Sequence, residues 1–188
     1  MHGEAMDWVT ECRTKFEVRP EDRVLEVGSY NHNGTIRGLF SASATYVGVD
    51  IISGPCVDIV GNINEDDFRN SLFEKYNGFD IVVSTETLEH TPWQPLMASM
   101  LKLLDYSKPV VRLVLTCAGD NRPSHSYDGN QQLKPNEWYQ NVNKELLMNF
   151  VCDTLREMNG ETHDYKVTVS SNDGDYDTYL YLEVNKCV

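Results

Sequence analysis

The 188 residues carry 16 Lys and Arg against 29 Asp and Glu, a formal charge of -13, so the chain as a whole repels nucleic acid and anionic membranes. With 40% apolar and 10% aromatic residues it has the side chains of one folded domain spanning 1–188, and disorder is excluded. Five scattered cysteines without a C-x-x-C pair argue against a zinc ribbon or a disulfide framework; Met1 to Ala5 has no leader character, and no run approaches the roughly 18 apolar residues of a membrane span, so a reduced, cytoplasmic setting is expected.

In chain order, Met6 to Phe16 has weak helical spacing, and Arg23–Val27 is the first short β-branched run. A short helix is predicted over Thr35 to Phe40. Strands follow at Tyr46–Asp50 and Val57–Val60, a helix at Asn64 to Tyr76, and a fourth strand at Asp80–Ser84. Thr91 as N-cap and Pro92 at the first helical position open a helix whose apolar stripe is Trp93, Leu96, Met97, Met100, Leu101 and Leu104. Val110–Thr116 is the most continuous strand. After it, Ala118 to Gln140 is a polar stretch of a length that often carries function. Asn143 caps the next helix, with Leu146, Leu147, Phe150, Val151 and Leu155 on one stripe and Val142 against Leu147 as a hydrophobic staple. Tyr165 to Ser170 and Thr178 to Val184, split by a turn-rich segment, close as a hairpin. Strands alternating with helices predict an α/β sheet of seven mostly parallel strands.

In such a sheet the ligand crevice lies beyond the carboxyl ends of the strands, where the winding reverses. The first strand runs into Glu26-Val27-Gly28-Ser29-Tyr30-Asn31-His32-Asn33-Gly34, where Gly28 permits a tight turn and Gly34 is placed to open the next helix. The second ends in Asp50, whose carboxylate suits both hydroxyls of a ribose. A dinucleotide fits poorly, because a pyrophosphate needs bare amides and no negative charge, whereas Glu26, Tyr30 and His32 stand here. A carboxylate in that place suits a cationic nucleoside bearing an ammonium group, which points to S-adenosylmethionine.

These segments together resemble the class I S-adenosylmethionine-dependent methyltransferases. Val24 to Gly34 looks like their motif I, in a form with an extended loop; Tyr46–Asp50 resembles the second-strand motif, Gly54–Val60 the third, and Phe79 to His90 the fourth. The resemblance covers residues 23 to 116 and implies a Rossmann-like, doubly wound sheet with helices on both faces and an antiparallel C-terminal hairpin strand. It implies that Glu26 and Gly28 lie by the methionine moiety, with Ser29, Tyr30 and Gly34 in the same loop. Asp50 then takes the ribose, Ile51 packs against adenine or in the core, Asn62 accepts from the adenine amine beside Ile63, and Thr85 and Glu86 floor the site. The implied cofactor is S-adenosylmethionine, with S-adenosylhomocysteine as product.

Methyl transfer from a sulfonium is an in-line displacement that needs alignment and exclusion of water. A hydroxyl or ammonium acceptor also needs a base, for which His90, His125 and Glu86 are the candidates in that order. Tyr127 shares the His125 segment, and Trp138 and Tyr139 either line a pocket or pack on the sheet. Glu89 has a helix-capping role as its plainer reading. His2, His32 and His163 form no ligand spacing, so no metal is expected. The expected acceptor is a small molecule; a non-catalytic or regulatory S-adenosylmethionine-binding module, or a methyltransferase acting on a macromolecule, are the alternatives.

Overall fold

The computed structural model describes residues 3–128, 130–159 and 162–187. Its regular elements are α1 (Gly3–Thr14), β1 (Arg23–Val27), β2 (Thr45–Asp50), β3 (Ile59–Val60), α2 (Asp66–Tyr76), β4 (Ile81–Thr85), α3 (Trp93–Lys102), β5 (Val110–Ala118), α4 (Lys144–Asn159), β6 (His163–Ser171) and β7 (Asp177–Lys186). One seven-stranded sheet runs in the order β3-β2-β1-β4-β5-β7-β6. The first five strands pair in parallel, and β7 inserts antiparallel between β5 and β6. From β1 the chain winds outward to β2 and β3, then returns to lay β4 on the other side of β1. The winding therefore reverses between β1 and β4, and the crevice expected for a ligand opens there.

Alternation along the strands divides the core in two. Val24, Ile81, Val83 and Val114 turn toward Val9 and Cys12 of α1. Leu25, Val82, Leu113 and Leu115 turn the opposite way, against Leu72 of α2, Met97 of α3 and Leu147 of α4. Helices thus cover both faces. At the amino ends of β1 and β4 the half-buried Arg23 guanidinium bonds Asp80 at 2.9 Å and Asp105 at 2.7 Å, closing the edge away from the crevice with paired charge. No helix among the described residues is long and apolar enough to cross a membrane.

Several boundaries differ from the sequence expectations for local reasons. The helix expected at Thr35 to Phe40 is a single 3-10 turn over Arg37–Phe40. Gly34, at φ +126°, does not open it; its amide donates to Asn31 Oδ1 at 2.8 Å and closes a loop instead. Thr91 is extended and Pro92 takes the N-cap position, so α3 starts one residue later than expected and has no side-chain cap. Leu104 lies past the end of α3 and bridges Phe79. In α4 the Asn143 cap is present, with Oδ1 accepting from the amides of Glu145 and Leu146 at 3.0 Å. Leu146 itself is exposed, because the buried line runs through Leu147, Val151 and Leu155 at intervals of four.

Candidate active site

The crevice is a cavity of about 910 Å³ bounded by the loops that follow β1, β2, β3 and β4 and by the long segment after β5. Every site residue expected from the sequence borders it: Glu26, Gly28, Ser29, Tyr30, Gly34, Asp50, Ile51, Asn62, Ile63, Thr85, Glu86, His90 and His125. The two ends of the cavity are built differently.

At the β1–β2 end the backbone does the shaping. Gly28 sits at φ +76°, and its amide and that of Ser29 both donate to Val49 O, at 2.9 and 3.2 Å, folding the loop onto the end of β2. A Cβ at Gly28 would collide with the Thr87 hydroxyl, so glycine is required by conformation and by space. The Asp50 carboxylate is oriented by two amides, Tyr30 N–H donating to Oδ2 at 3.1 Å and Ile52 N–H to Oδ1 at 3.2 Å. Glu26 is buried under this loop, where it accepts from the Tyr46 hydroxyl at 2.8 Å. Burial pushes its carboxyl up to about 7, against the opposing pull of the Tyr46 hydrogen bond and Arg37. The Tyr30 ring lies 4.4 Å from His32. Ser29 is buried, and its hydroxyl has no hydrogen-bond partner.

Ile51 is 70% exposed at the lip, so the core role entertained for it is wrong and only a surface facing the cavity remains. Ile63 is a buried member of the main core that also borders the space. Asn62 Oδ1 accepts from the Asn64 amide at 3.0 Å, which spends part of the acceptor capacity expected to meet a ligand.

At the β4 end side chains do the shaping. Thr85 is buried at the last position of β4, and Glu86 follows in the left-handed region at φ +54°. That conformation turns the Glu86 carboxylate onto Thr116 Oγ1, which donates at 2.9 Å, and onto the Arg122 guanidinium, which also bonds Asp177 at 2.9 Å. Glu86 is therefore a paired anion. Glu89, instead of capping a helix, is fully buried; neither carboxylate oxygen has a hydrogen-bond partner of good geometry. Burial first, then the charge of Glu86, raises its pKa well above the carboxylate range, although the amides of Glu89 and Ala118 pull it the other way.

Beside Glu89 stand the two histidines. Burial lowers the His90 pKa to about 4, with the proximity of His125 adding to the effect, so its ring is neutral. His125 Nδ1 lies 3.1 Å from Pro123 O, and the His90 and His125 rings meet edge to face at 5.1 Å. Tyr139 packs on both, 5.8 Å from His90 and 4.9 Å from His125, while Trp138 is half-exposed. Tyr127 is half-exposed on the cavity wall. The long segment is held over this end because Gln140 N–H donates to Glu89 O at 2.8 Å.

Sequence reading missed Arg122, although it is the one cation between Leu113 and Leu133. It also left Glu89 outside the site and found no group of metal-ligating residues. The structure brings Glu89, His90 and His125 together, their ligand atoms all within 4.8 Å of one another, from positions that 35 residues of chain separate. His32 instead packs at a tilt against Tyr30, and His163 bonds Tyr106 O at 3.0 Å; His2 lies outside the described residues.

No protein-family model and no curated protein matches the sequence. Solved structures do match in fold. One is the 1,6-didemethyltoxoflavin-N1-methyltransferase of Burkholderia thailandensis with 1,6-didemethyltoxoflavin and S-adenosylhomocysteine bound, at 16% identity and TM-score 0.58 over 98% of this chain and 79% of that one. Another is the magnesium protoporphyrin IX methyltransferase of Synechocystis PCC 6803 with S-adenosylhomocysteine, at 13% identity and TM-score 0.55 over 98% and 83%. The small RNA methyltransferase HEN1 aligns at 12% identity and TM-score 0.59 over 98% of this chain but only 25% of its own. In strand order, in the position of its crevice and in these likenesses, the chain has the fold of the class I S-adenosylmethionine-dependent methyltransferases.

Proposed function

We propose that the protein is an S-adenosylmethionine-dependent methyltransferase that methylates a small-molecule acceptor and releases S-adenosylhomocysteine. The observation that carries this reading is one continuous cavity with a ribose-type carboxylate, Asp50, and a buried carboxyl, Glu26, at one end and two histidines at the other. The residues fit the cofactor. The Gly28 turn lines the cavity with backbone, the Asp50 oxygens are aimed by amides yet retain lone pairs, and Ile51 offers an apolar surface at the lip.

Bound there, S-adenosylmethionine supplies an electrophilic methyl on sulfur whose leaving group departs neutral. Asp50 binds the ribose hydroxyls, and Glu26, once ionised, pairs with the ammonium group. The segment over the β4 end excludes water and aligns the acceptor. Where the acceptor is a hydroxyl, its proton passes to an imidazole; His90 and His125 both reach the cavity. Glu86 falls out of contention as a base, because Arg122 and Thr116 already occupy its oxygens. The overall charge of -13 favours a small acceptor over nucleic acid. Cysteines without disulfide partners suit a reducing cytoplasm.

The test is the thermal midpoint with S-adenosylmethionine, S-adenosylhomocysteine or NAD. A ligand at 100 times its Kd adds about 2.7 kcal/mol, so the first two should raise the midpoint by several degrees and NAD should not. Release of S-adenosylhomocysteine with a panel of hydroxyl, amine and thiol acceptors then separates an enzyme from a binding module. A response to NAD alone would overturn the reading.

A further inference from the structure

Glu26 is held by a neighbour on β2 to which the cofactor reading gives no role. Across the β1–β2 pairing Glu26 stands opposite Gly48, where a Cβ would run into Cys56 O and Ser29 Oγ. With no side chain there, the β2 residue that meets Glu26 is Tyr46, two residues earlier on the same face, since diagonal cross-strand neighbours lie within reach of an aromatic side chain. The Tyr46 hydroxyl donates to Glu26 Oε2 at 2.8 Å. Oε1 accepts no hydrogen bond and is not sealed in, and Glu26 borders the cavity.

The tyrosine is itself braced. The Arg37 guanidinium lies 4.8 Å from the centre of its ring and pairs with Asp58, which in turn accepts from the Gly48 amide at 2.7 Å. The turn after the Gly28 loop and the residue before β3 therefore both hold Tyr46 in place. Of the charged groups around Glu26, Arg37 favours its ionised form, and Asp58 and Asp50 oppose it. Arg37 is engaged by Asp58, so among the described residues the Tyr46 hydroxyl alone hydrogen-bonds the Glu26 carboxylate.

We propose that Tyr46 is a positioning residue for the amino-acid end of S-adenosylmethionine: by occupying Oε2 it turns Oε1 of Glu26 toward the ammonium group and favours the carboxylate that pairs with it. The proposal rests on the cofactor reading above. It goes further in assigning to one hydroxyl, not to the Gly28 loop, the distinction between nucleosides with and without an amino-acid tail. A hydrogen bond to a charged group is among the stronger neutral-donor contacts, and burial strengthens it.

The experiment is calorimetry on the full chain with two probes, S-adenosylhomocysteine and 5′-methylthioadenosine, which keeps the adenosine and the thioether but has no ammonium group. The parent should bind S-adenosylhomocysteine more tightly, with affinity rising with pH across neutrality, and 5′-methylthioadenosine with no such slope. Tyr46→Phe keeps the ring under Arg37 and removes only the donor. It should weaken S-adenosylhomocysteine about tenfold at neutral pH and displace the rise in affinity to higher pH. Its Kd for 5′-methylthioadenosine should stay at the parent value, which also shows that the site is still folded. Tyr181→Phe is the control: it removes the same hydroxyl from another tyrosine–glutamate pair, 3.0 Å from Glu183 and outside the cavity lining, and should change neither Kd. Equal losses for both probes in Tyr46→Phe, no loss for S-adenosylhomocysteine, or a parent that binds the two probes equally would overturn the proposal and leave the nucleoside site standing. A parent that binds neither probe would overturn the methyltransferase reading and this proposal with it.

Discussion

The two ends of the cavity solve opposite problems. At the β1–β2 end, recognition is made by backbone: a glycine turn, amides that aim Asp50, and a strand end that places the carboxylate. At the β4 end it is made by side chains that arrive from β4, β5, β7 and the segment after β5, joined through Arg122. A backbone-made site follows from the fold and changes little with sequence. One made of side chains is specific to this chain, and its integrity depends on charges that must be balanced together.

The sharpest way to break the contrast is to remove the balance. Arg122→Met leaves Glu86 and the fully buried Asp177 without their shared cation. Breaking a buried pair by deleting one partner costs about 3–5 kcal/mol, and for a chain of this size the thermal midpoint should fall by about 10 °C. A fall of only a degree or two would show that the β4 end is not held by Arg122. Asp50→Ala should do the reverse. It removes the acceptor for two charge-assisted hydrogen bonds to ligand, about 3 kcal/mol or at least a hundredfold in Kd for S-adenosylmethionine by calorimetry. Its effect on unliganded stability should be smaller, since only the Tyr30 and Ile52 amides lose a partner. Asp50→Asn, which keeps one acceptor oxygen, should fall between.

Glu26 gives a pH signature of the β1–β2 end. Its folded pKa of about 7 lies above the ordinary 4.5, so between those values the folded state holds more protons than the unfolded one. Stability therefore falls as pH rises through that window and is flat on either side. The cost above pH 7 is of order 3 kcal/mol, and Glu26→Gln should recover most of it at pH 8 and none at pH 4 in chemical denaturation. If the ammonium group of a ligand pairs with Glu26, affinity for S-adenosylmethionine should rise with pH through 7, and the Gln variant should flatten that rise. A parent chain with no slope between pH 5 and 7 would mean that Glu26 is ionised throughout.

The same division explains what the sequence disclosed. Short β-branched runs ending in Gly28, Asp50 and Glu86 are local patterns, and parallel strand order turns their ends into one crevice; hence the sheet and the cofactor end were readable. Asn143 was readable too, because a cap acts within three residues. Arg122 was not, since nothing near it in sequence announces Glu86 or Asp177. The Glu89, His90 and His125 group was hidden by the loop between its members, and Glu89 resembled a helix-capping acid until its burial was seen. The expected turn of helix after Gly34 failed for a different reason: Asn31 captures the Gly34 amide locally, and side chain-to-backbone bonds of that kind compete with helix.

Ile51 and Ile63 offer the finest discrimination, because both border the cavity while only one is in the core. Ile51 is 70% exposed, and truncating it to Ala removes little from the unliganded protein, within about 0.5 kcal/mol of the parent. If an adenine ring covers it, the lost apolar contact weakens the ligand by about 1 kcal/mol, near fivefold in Kd. Ile63, at 2% exposure, should show the opposite pattern under the same change, a large loss of stability with ligand affinity altered only through the fold. Measuring both variants by denaturation and by calorimetry distinguishes a lip residue that meets ligand from one that supports the sheet. An unchanged Kd for Ile51→Ala would move the adenine away from the end of β2.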